Sequence, residues 1–180
     1  PVTGRTVLVT GGAGAVGHYG IQLARWAGAT VVTTVSGPEK AELARAAGAH
    51  HVVNYRDGDP GAAILDAAGP VDRIVEVSLA QNLAQDLAVL RNGGAVVSYA
   101  ATPQDPSIPV RALMGANAVL RFALLYTVPR PVLADAAHGL GVAAAHGALT
   151  PLPVTRFGID DVVAAHEAVE AGTTGKVVVD

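Results

Sequence analysis

Short apolar runs alternate with alanine-rich amphipathic stretches along most of the chain. The runs at Thr6–Thr10, Thr30–Val35, His51–Asn54, Val71–Val77, Ala95–Tyr99 and Asn117–Leu124 are dense in Val and Ile with little polar alternation. That is the pattern of strands covered on both faces. Between them, Ala15–Ala27, Pro38–Ala47, Gly61–Ala68 and Gln81–Leu90 carry helical spacing, and a longer helix is predicted from Val132 to His146. Gly28, Gly48, Gly69 and Gly93 each follow a predicted helix closely, where a left-handed residue is wanted. Strand and helix alternating at this spacing imply right-handed crossovers and an α/β fold with a doubly wound parallel sheet.

The rhythm breaks at Leu149–Pro153, within "LTPLPV". Beyond it a short strand, a helix from about Ile159 to Ala171 and a last strand in "GKVVVD" are expected. The division is therefore a main unit over 1–150 and a strand-helix-strand segment over 151–180 that need not join the main sheet. No internal repeat is visible.

Composition narrows the function classes. Hydrophobic residues make up 51% of the 180 and aromatics only 4%, so the core is built from Val, Ala, Leu and Ile. The net charge of −3 comes with no basic run or aromatic platform, which argues against nucleic acid as a partner. The chain has no cysteine, which excludes disulfides and thiolate metal sites within it and fits a reducing, cytoplasmic setting. No apolar run reaches the ~18 residues of a spanning helix, so no membrane partner is expected. The chain opens on Pro1 rather than Met, and is expected to be part of something longer.

The strand Thr6–Thr10 runs straight into Gly12-Ala13-Gly14-Ala15-Val16-Gly17, and a helix follows at once. This is G-x-G-x-x-G in its strand–turn–helix setting, the loop of a Rossmann-type dinucleotide-binding unit. The first glycine is expected to allow the tight turn, the second to let backbone approach a diphosphate, and the third to let helix and strand pack closely. The alternative is a tight turn with no ligand.

In many such units the second strand ends in an acid that bonds the adenosine ribose. Here it ends "TTVSGPEK", with Ser36 in that place and Lys40, one of only two lysines, four residues on. A carboxylate would repel a 2′-phosphate, whereas a hydroxyl and an ammonium attract one, so NADP(H) is favoured over NAD(H). A plainer reading is also open: Ser36 and Glu39 form an S-x-x-E capping box around Pro38.

Other constellations are poor. The short-chain dehydrogenase pattern needs a Lys four residues after a Tyr, and Tyr19, Tyr55, Tyr99 and Tyr126 are followed there by Leu23, Asp59, Pro103 and Arg130. His50 and His51 are adjacent on a strand and point to opposite faces. His138 and His146 are eight apart, and His166-Glu167 lacks a second His, so no metal site is expected in this chain. Glu76, ending the fourth strand, is the one acid with a plausible local role, and no residue is assigned as catalytic.

The stretches "VLVTGGAGAVGHYGIQLARWAGATVV", "AAGAHHVVNYRD", "VDRIVEV", "NLAQDLAVLRNGGAVVSYA" and "AHEAVEAGTTGKVVV" together resemble the medium-chain dehydrogenase/reductase superfamily. Within it they are most similar to the zinc-independent NADPH:quinone reductase, or zeta-crystallin, branch. The resemblance spans nearly the whole chain in order. It implies that Ala13, Gly14, Ala15 and Val16 line a diphosphate, and that Ser36, Lys40 and Tyr55 surround a 2′-phosphate. It further implies that Asn82 and the turn Tyr99-Ala100-Ala101-Thr102 touch the adenosine and ribose side, and that Phe122, Ala123 and Leu124 present backbone to the nicotinamide carboxamide. The turn "YAATP" departs from the family in lacking its usual glycine.

The same resemblance implies a two-domain enzyme whose N-terminal substrate domain does not precede Pro1. The segment 151–180 would complete that domain. The intact enzyme would transfer a nicotinamide hydride to a quinone or conjugated carbonyl, and this chain alone would bind NADPH weakly and turn over little. The rival readings are an enoyl reductase or zinc alcohol dehydrogenase cofactor domain, and a non-catalytic NADP(H)-binding protein. Family members often dimerise by pairing the last strand of the sheet, a role the apolar run Val119–Val128 could fill.

Overall fold

In the first strand Val7 and Val9 turn to one side and Leu8 to the other, and all three are buried. That two-sided burial, repeated strand by strand, makes the sheet the middle layer of the fold. The computed structural model describes residues 1–180. Its strands β1 (Thr6–Val9), β2 (Thr30–Val35), β3 (His51–Asn54), β4 (Val71–Glu76), β5 (Leu90–Ser98) and β6 (Val119–Phe122) form one parallel sheet in the order β3-β2-β1-β4-β5-β6. This is the doubly wound Rossmann order, and its direction reverses between β1 and β4.

The helices cover both faces. Helices α1 (Ala15–Trp26) and α2 (Pro38–Ala46) supply Ile21, Ala41 and Ala44 to one core with Val7, Val9, Val31 and Val35. Helices α3 (Pro60–Ala68) and α4 (Leu79–Val89) supply Ile64, Leu79 and Leu83 to the other, with Leu8, Val32, Ile74 and Val96. Small alanines on α1 and α2 let those helices sit close to the sheet. Asp59 starts α3 by accepting from the amides of Gly61 (2.9 Å) and Ala62 (3.1 Å).

At the amino end of the sheet Asp72 joins three strands. It accepts from the Thr6 amide at 2.9 Å and from Arg5 at 3.1 Å, and lies 3.3 Å from Arg91. Burial pushes its carboxyl up, but the Thr6 amide and the two guanidiniums outweigh this and hold it below the usual value.

Several boundaries differ from the sequence reading. A short helix, α5 (Val110–Gly115), was not foreseen, because six residues offer too little periodicity to register. The strand expected over Asn117–Leu124 is only Val119–Phe122, and Leu125–Thr127 form a 3₁₀ turn. β5 begins at Leu90 and irregularly pairs with β4 across Arg91–Gly94. α6 spans Arg130–Ala145, starting earlier than expected because Pro131 suits a first turn. The last residues form β7 (Val154–Phe157), a 3₁₀ turn at Ile159–Asp161, α7 (Val162–Glu170) and β8 (Lys176–Val179). β7 and β8 pair in parallel as a separate two-stranded sheet. The link before β7 is tied to α1, since Gln22 both donates to the Thr150 carbonyl (3.1 Å) and accepts from its amide (2.6 Å).

Candidate functional site: a cleft at the carboxyl ends of the strands

The glycine loop does its work with four glycines rather than three. The left-handed residue of the turn is Gly11, at φ +68°, not Gly12 as the motif suggested. Gly12 is required for a different reason: a β-carbon there would lie 2.1 Å from the Thr33 hydroxyl and 2.8 Å from Ile21. A β-carbon on Gly17 would lie 2.3 Å from the Gly11 carbonyl, so the third glycine does seat the helix against the loop. Gly14 is the exposed residue that opens α1, with extended backbone and no side-chain cap.

The loop is held from below. The Gly12 amide donates to the Thr34 carbonyl (3.0 Å), and the Gly14 amide to the Gly11 carbonyl (2.9 Å). The amides of Ala13, Ala15, Val16 and Gly17 have no acceptor within the chain. Four free donors at the positive end of a twelve-residue helix form an anion cradle.

Beside the cradle a cleft of about 330 Å³ is lined by Ala13, Gly14, Ser36, Lys40 and Tyr55. The expected capping box is absent. α2 is opened by Gly37 with no side-chain cap, because the extended Gly37 places the turn one residue beyond Ser36. The Ser36 hydroxyl thus stays uncommitted, and Lys40 has no ion-pair partner. The far wall is Gly172-Thr173-Thr174-Gly175, the turn between α7 and β8. Sequence reasoning missed these residues; two glycines flanking two threonines were the available signal, but only the tertiary fold brings them to Lys40.

Gly11, Tyr55 and Val77 continue the cleft into a second hollow of about 350 Å³, which reaches Thr10, Thr34, Ser78 and Asn82. Thr10 and Thr34 were also missed. Thr10 accepts from the Val77 amide at 3.0 Å and Thr34 from the Gly11 amide at 3.3 Å, so both shape the cleft. Asn82 lines it too, with its side-chain amide donating to Glu76 Oε1 at 2.9 Å. Glu76 is fully buried.

A third, smaller hollow of about 130 Å³ gathers Ala100, Ala101, Thr102 and Phe122. Half-buried Tyr99 lies just before it, with its phenol pushed up by burial and then by the charge of Glu76. Ala123 and Leu124 do not line this hollow. The Ala123 amide is taken by the Ser98 carbonyl (2.9 Å), and the Leu124 carbonyl by Thr127. Of those two residues' amides, only that of Leu124 remains free to meet a ligand.

The residues present do not fit a metal ion. The chain has no cysteine and no group of three His, Asp or Glu residues that could hold one. His50 is structural: Nδ1 accepts from the Val31 amide (3.0 Å), and Nε2 lies 3.0 Å from Arg25. Burial first, then the charges of Arg25 and His51, lower its pKa. No helix is long and apolar enough to cross a membrane.

Comparison with known proteins places this geometry. Residues 15–138 match the family described as zinc-binding dehydrogenase. Human quinone oxidoreductase is 27% identical over 185 residues, which cover 97% of this chain and 54% of that protein. A 2-haloacrylate reductase from Burkholderia sp. is 38% identical over 98 residues, covering 53% of this chain and 29% of that one. A mycobacterial structure complexed with NADPH is 30% identical with a TM-score of 0.86, over 99% of this chain and 57% of its own. The chain thus spans about half the length of the quinone oxidoreductases that match it end to end.

Proposed function

The chain belongs to the zinc-binding dehydrogenase family, within the medium-chain dehydrogenase/reductase superfamily, and on that premise we propose that it is the NADP(H)-holding part of a reductase acting on a quinone or conjugated carbonyl. The carrying observation is the adjacency of two anion sites: the four free amides of the glycine loop, and the uncommitted Ser36 hydroxyl beside unpaired Lys40. Their separation into two sites matches a ligand with a diphosphate and a further phosphate. Two of the relatives are named for quinone and 2-haloacrylate, both conjugated acceptors.

When bound, the nicotinamide supplies the hydride. The chain's own residues bind and orient. The amides of Ala13, Ala15, Val16 and Gly17 would neutralise the diphosphate, and the dipole of α1 adds to them. Lys40 with Ser36, Tyr55 and Thr173 would hold the 2′-phosphate by charge-assisted hydrogen bonds. Asn82 would stand on the adenosine and ribose side, with the turn Tyr99–Thr102 alongside. The nicotinamide end would lie toward Phe122 and the free amide of Leu124. The family name implies zinc, but these residues form no site for it.

The relatives carry nearly as much chain again. In this reading the segment 151–180 packs against that remainder, presenting the exposed apolar residues Ile159, Val163 and Val169. Edge strand β6 is open on one side and bears exposed Val119 and Phe122. It would serve as the seam of a homodimer.

The test is a parallel titration with NADPH and NADH. Losing one charge-assisted phosphate contact costs about 1.5–3 kcal/mol, so NADPH should bind at least about tenfold tighter than NADH in the wild type, and Lys40→Ala should remove that preference. Equal affinities in the wild type would sink the 2′-phosphate assignment. Binding of neither would sink the cofactor reading for this chain.

A further inference from the structure

Beneath the turn that links β4 to α4 lie two carboxyl groups with no cation. Glu76 and Asp86 are each 0% exposed. Glu76 Oε1 accepts from the Ser78 amide and from Asn82 Nδ2. Glu76 Oε2 and both oxygens of Asp86 have no hydrogen-bond partner. All ion pairs of the chain lie elsewhere, on Asp72, Glu42 and Asp180.

Asp86 follows Asn82 by one turn of α4, which brings it to the side of Glu76 that Asn82 bonds. Two neighbouring unpaired carboxylates out of water are strongly disfavoured by desolvation and by mutual repulsion. One proton removes the repulsion and one of the two buried charges, and joins two of the three orphan oxygens as donor and acceptor. The surroundings offer no other remedy. At the end of β5 and just beyond it, the groups beside Glu76 are neutral: Ser98, whose hydroxyl donates to the Ala100 carbonyl at 3.0 Å, and Tyr99. Of the charged groups on neighbouring elements, Asp66 on α3 is exposed, and Arg73 on β4 is engaged by the Asp72 carbonyl.

We propose that Glu76 and Asp86 share a single proton between Glu76 Oε2 and the Asp86 carboxyl, and that Asp86 thereby acts as a positioning residue for the cleft wall formed by Ser78 and Asn82. The chain of contacts is short. Asp86 lies one turn beyond Asn82 on α4, where its protonated carboxyl would hold Glu76 Oε2, and Glu76 Oε1 holds the Ser78 amide and the Asn82 side chain. Ser78 and Asn82 in turn line the cleft with Tyr55. Burial first, and then the neighbouring Glu76, push the Asp86 carboxyl up to about 8. The shared proton is therefore kept at neutral pH and lost in mild alkali, where repulsion loosens the turn. That the cleft is a cofactor cleft rests on the function proposed above, whereas the proton and the turn can be read without any ligand.

The experiment is infrared spectroscopy of the full chain across pH, paired with amide hydrogen exchange at Ser78, on wild type, Asp86→Asn and Glu76→Gln. A protonated-carboxyl carbonyl band should persist at neutral pH in the wild type, fade with a midpoint near pH 8, and be absent from both variants. Protection of the Ser78 amide should fall about tenfold across that midpoint in the wild type. It should not change in Asp86→Asn, whose amide donates to Glu76 Oε2 at every pH. If Asp86→Asn does not fold, Glu76→Gln decides, since its amide donates to Asp86 in the same way. Absence of the band at neutral pH in the wild type would overturn the shared proton. A Ser78 protection that falls equally in the folded variant would overturn the positioning role.

Discussion

Gly17 sits directly on Gly11: a β-carbon at Gly17 would lie 2.3 Å from the Gly11 carbonyl oxygen and 2.9 Å from Gly12 Cα. The first turn of α1 and the loop leaving β1 are therefore one packed unit. Gly17→Ala must push them apart. The expected cost is about 1–3 kcal/mol of stability, with a larger loss in NADPH affinity because the free amides are displaced. Gly20→Ala is the control, since its β-carbon would make only ordinary 3.6 Å contact with Val9. Alanine there should stabilise the helix by up to about 1 kcal/mol. Thermal unfolding and nucleotide titration of the two variants check both statements.

Ser36 directly follows β2, where related units place an acid, and the side chain is free. Ser36→Asp should reverse the cofactor preference, because its carboxylate repels a 2′-phosphate and can accept from a ribose hydroxyl. NADPH affinity should fall by about tenfold or more, while NADH affinity holds or rises. A variant that weakens both nucleotides equally would place the second anion site elsewhere.

Asp72 and Asp86 give opposite pH limbs. The lowered Asp72 pKa means that its ion pairs stabilise the fold above the ordinary carboxylate value of 3.8 and are lost as pH falls through the lowered value. The raised Asp86 pKa means that the folded chain keeps a proton the unfolded chain has released. Its contribution is complete below 3.8 and is lost as pH rises toward about 8. Chemical denaturation from pH 2 to pH 9 should therefore show a wild-type acid limb below 3.8 from Asp72 and a steady decline from there to about 8 from Asp86, with Asp86→Asn lacking that decline. Asp72→Asn should lose the acid limb and cost on the order of 1.5–3 kcal/mol at neutral pH.

The open edge of β6 gives a prediction about assembly. Val119 is 52% exposed on the outermost strand, where unpaired backbone groups invite a second copy. Sedimentation should show a dimer that Val119→Glu converts to monomer. A monomeric wild type would remove β6 from the proposed assembly.

Much of this fold was legible residue by residue. The six strands, their order of appearance and the helices between them follow from valine-rich runs and helical spacing, both local properties. β2 and β3 were placed to the residue, since each is bounded by a glycine turn or a helix start. The elements misjudged were those whose limits depend on neighbours. β5 reaches back to Leu90 only because Val71 pairs with it. α5 is too short to carry a period of its own.

The site divides in the same way. The local sequence determined the glycine loop, the missing acid at Ser36 and the presence of Lys40, because backbone turns and side-chain charge are decided within a few residues. It could not decide that the left-handed glycine is Gly11, since that depends on Val77 and Thr34 crossing from other strands. Nor could it show that Thr173 and Thr174 face Lys40, or that Glu76 and Asp86 meet in the dark under Asn82. Those meetings require strands brought together by burial of a shared core, and the resulting low dielectric makes a proton of two ordinary acids hard to remove.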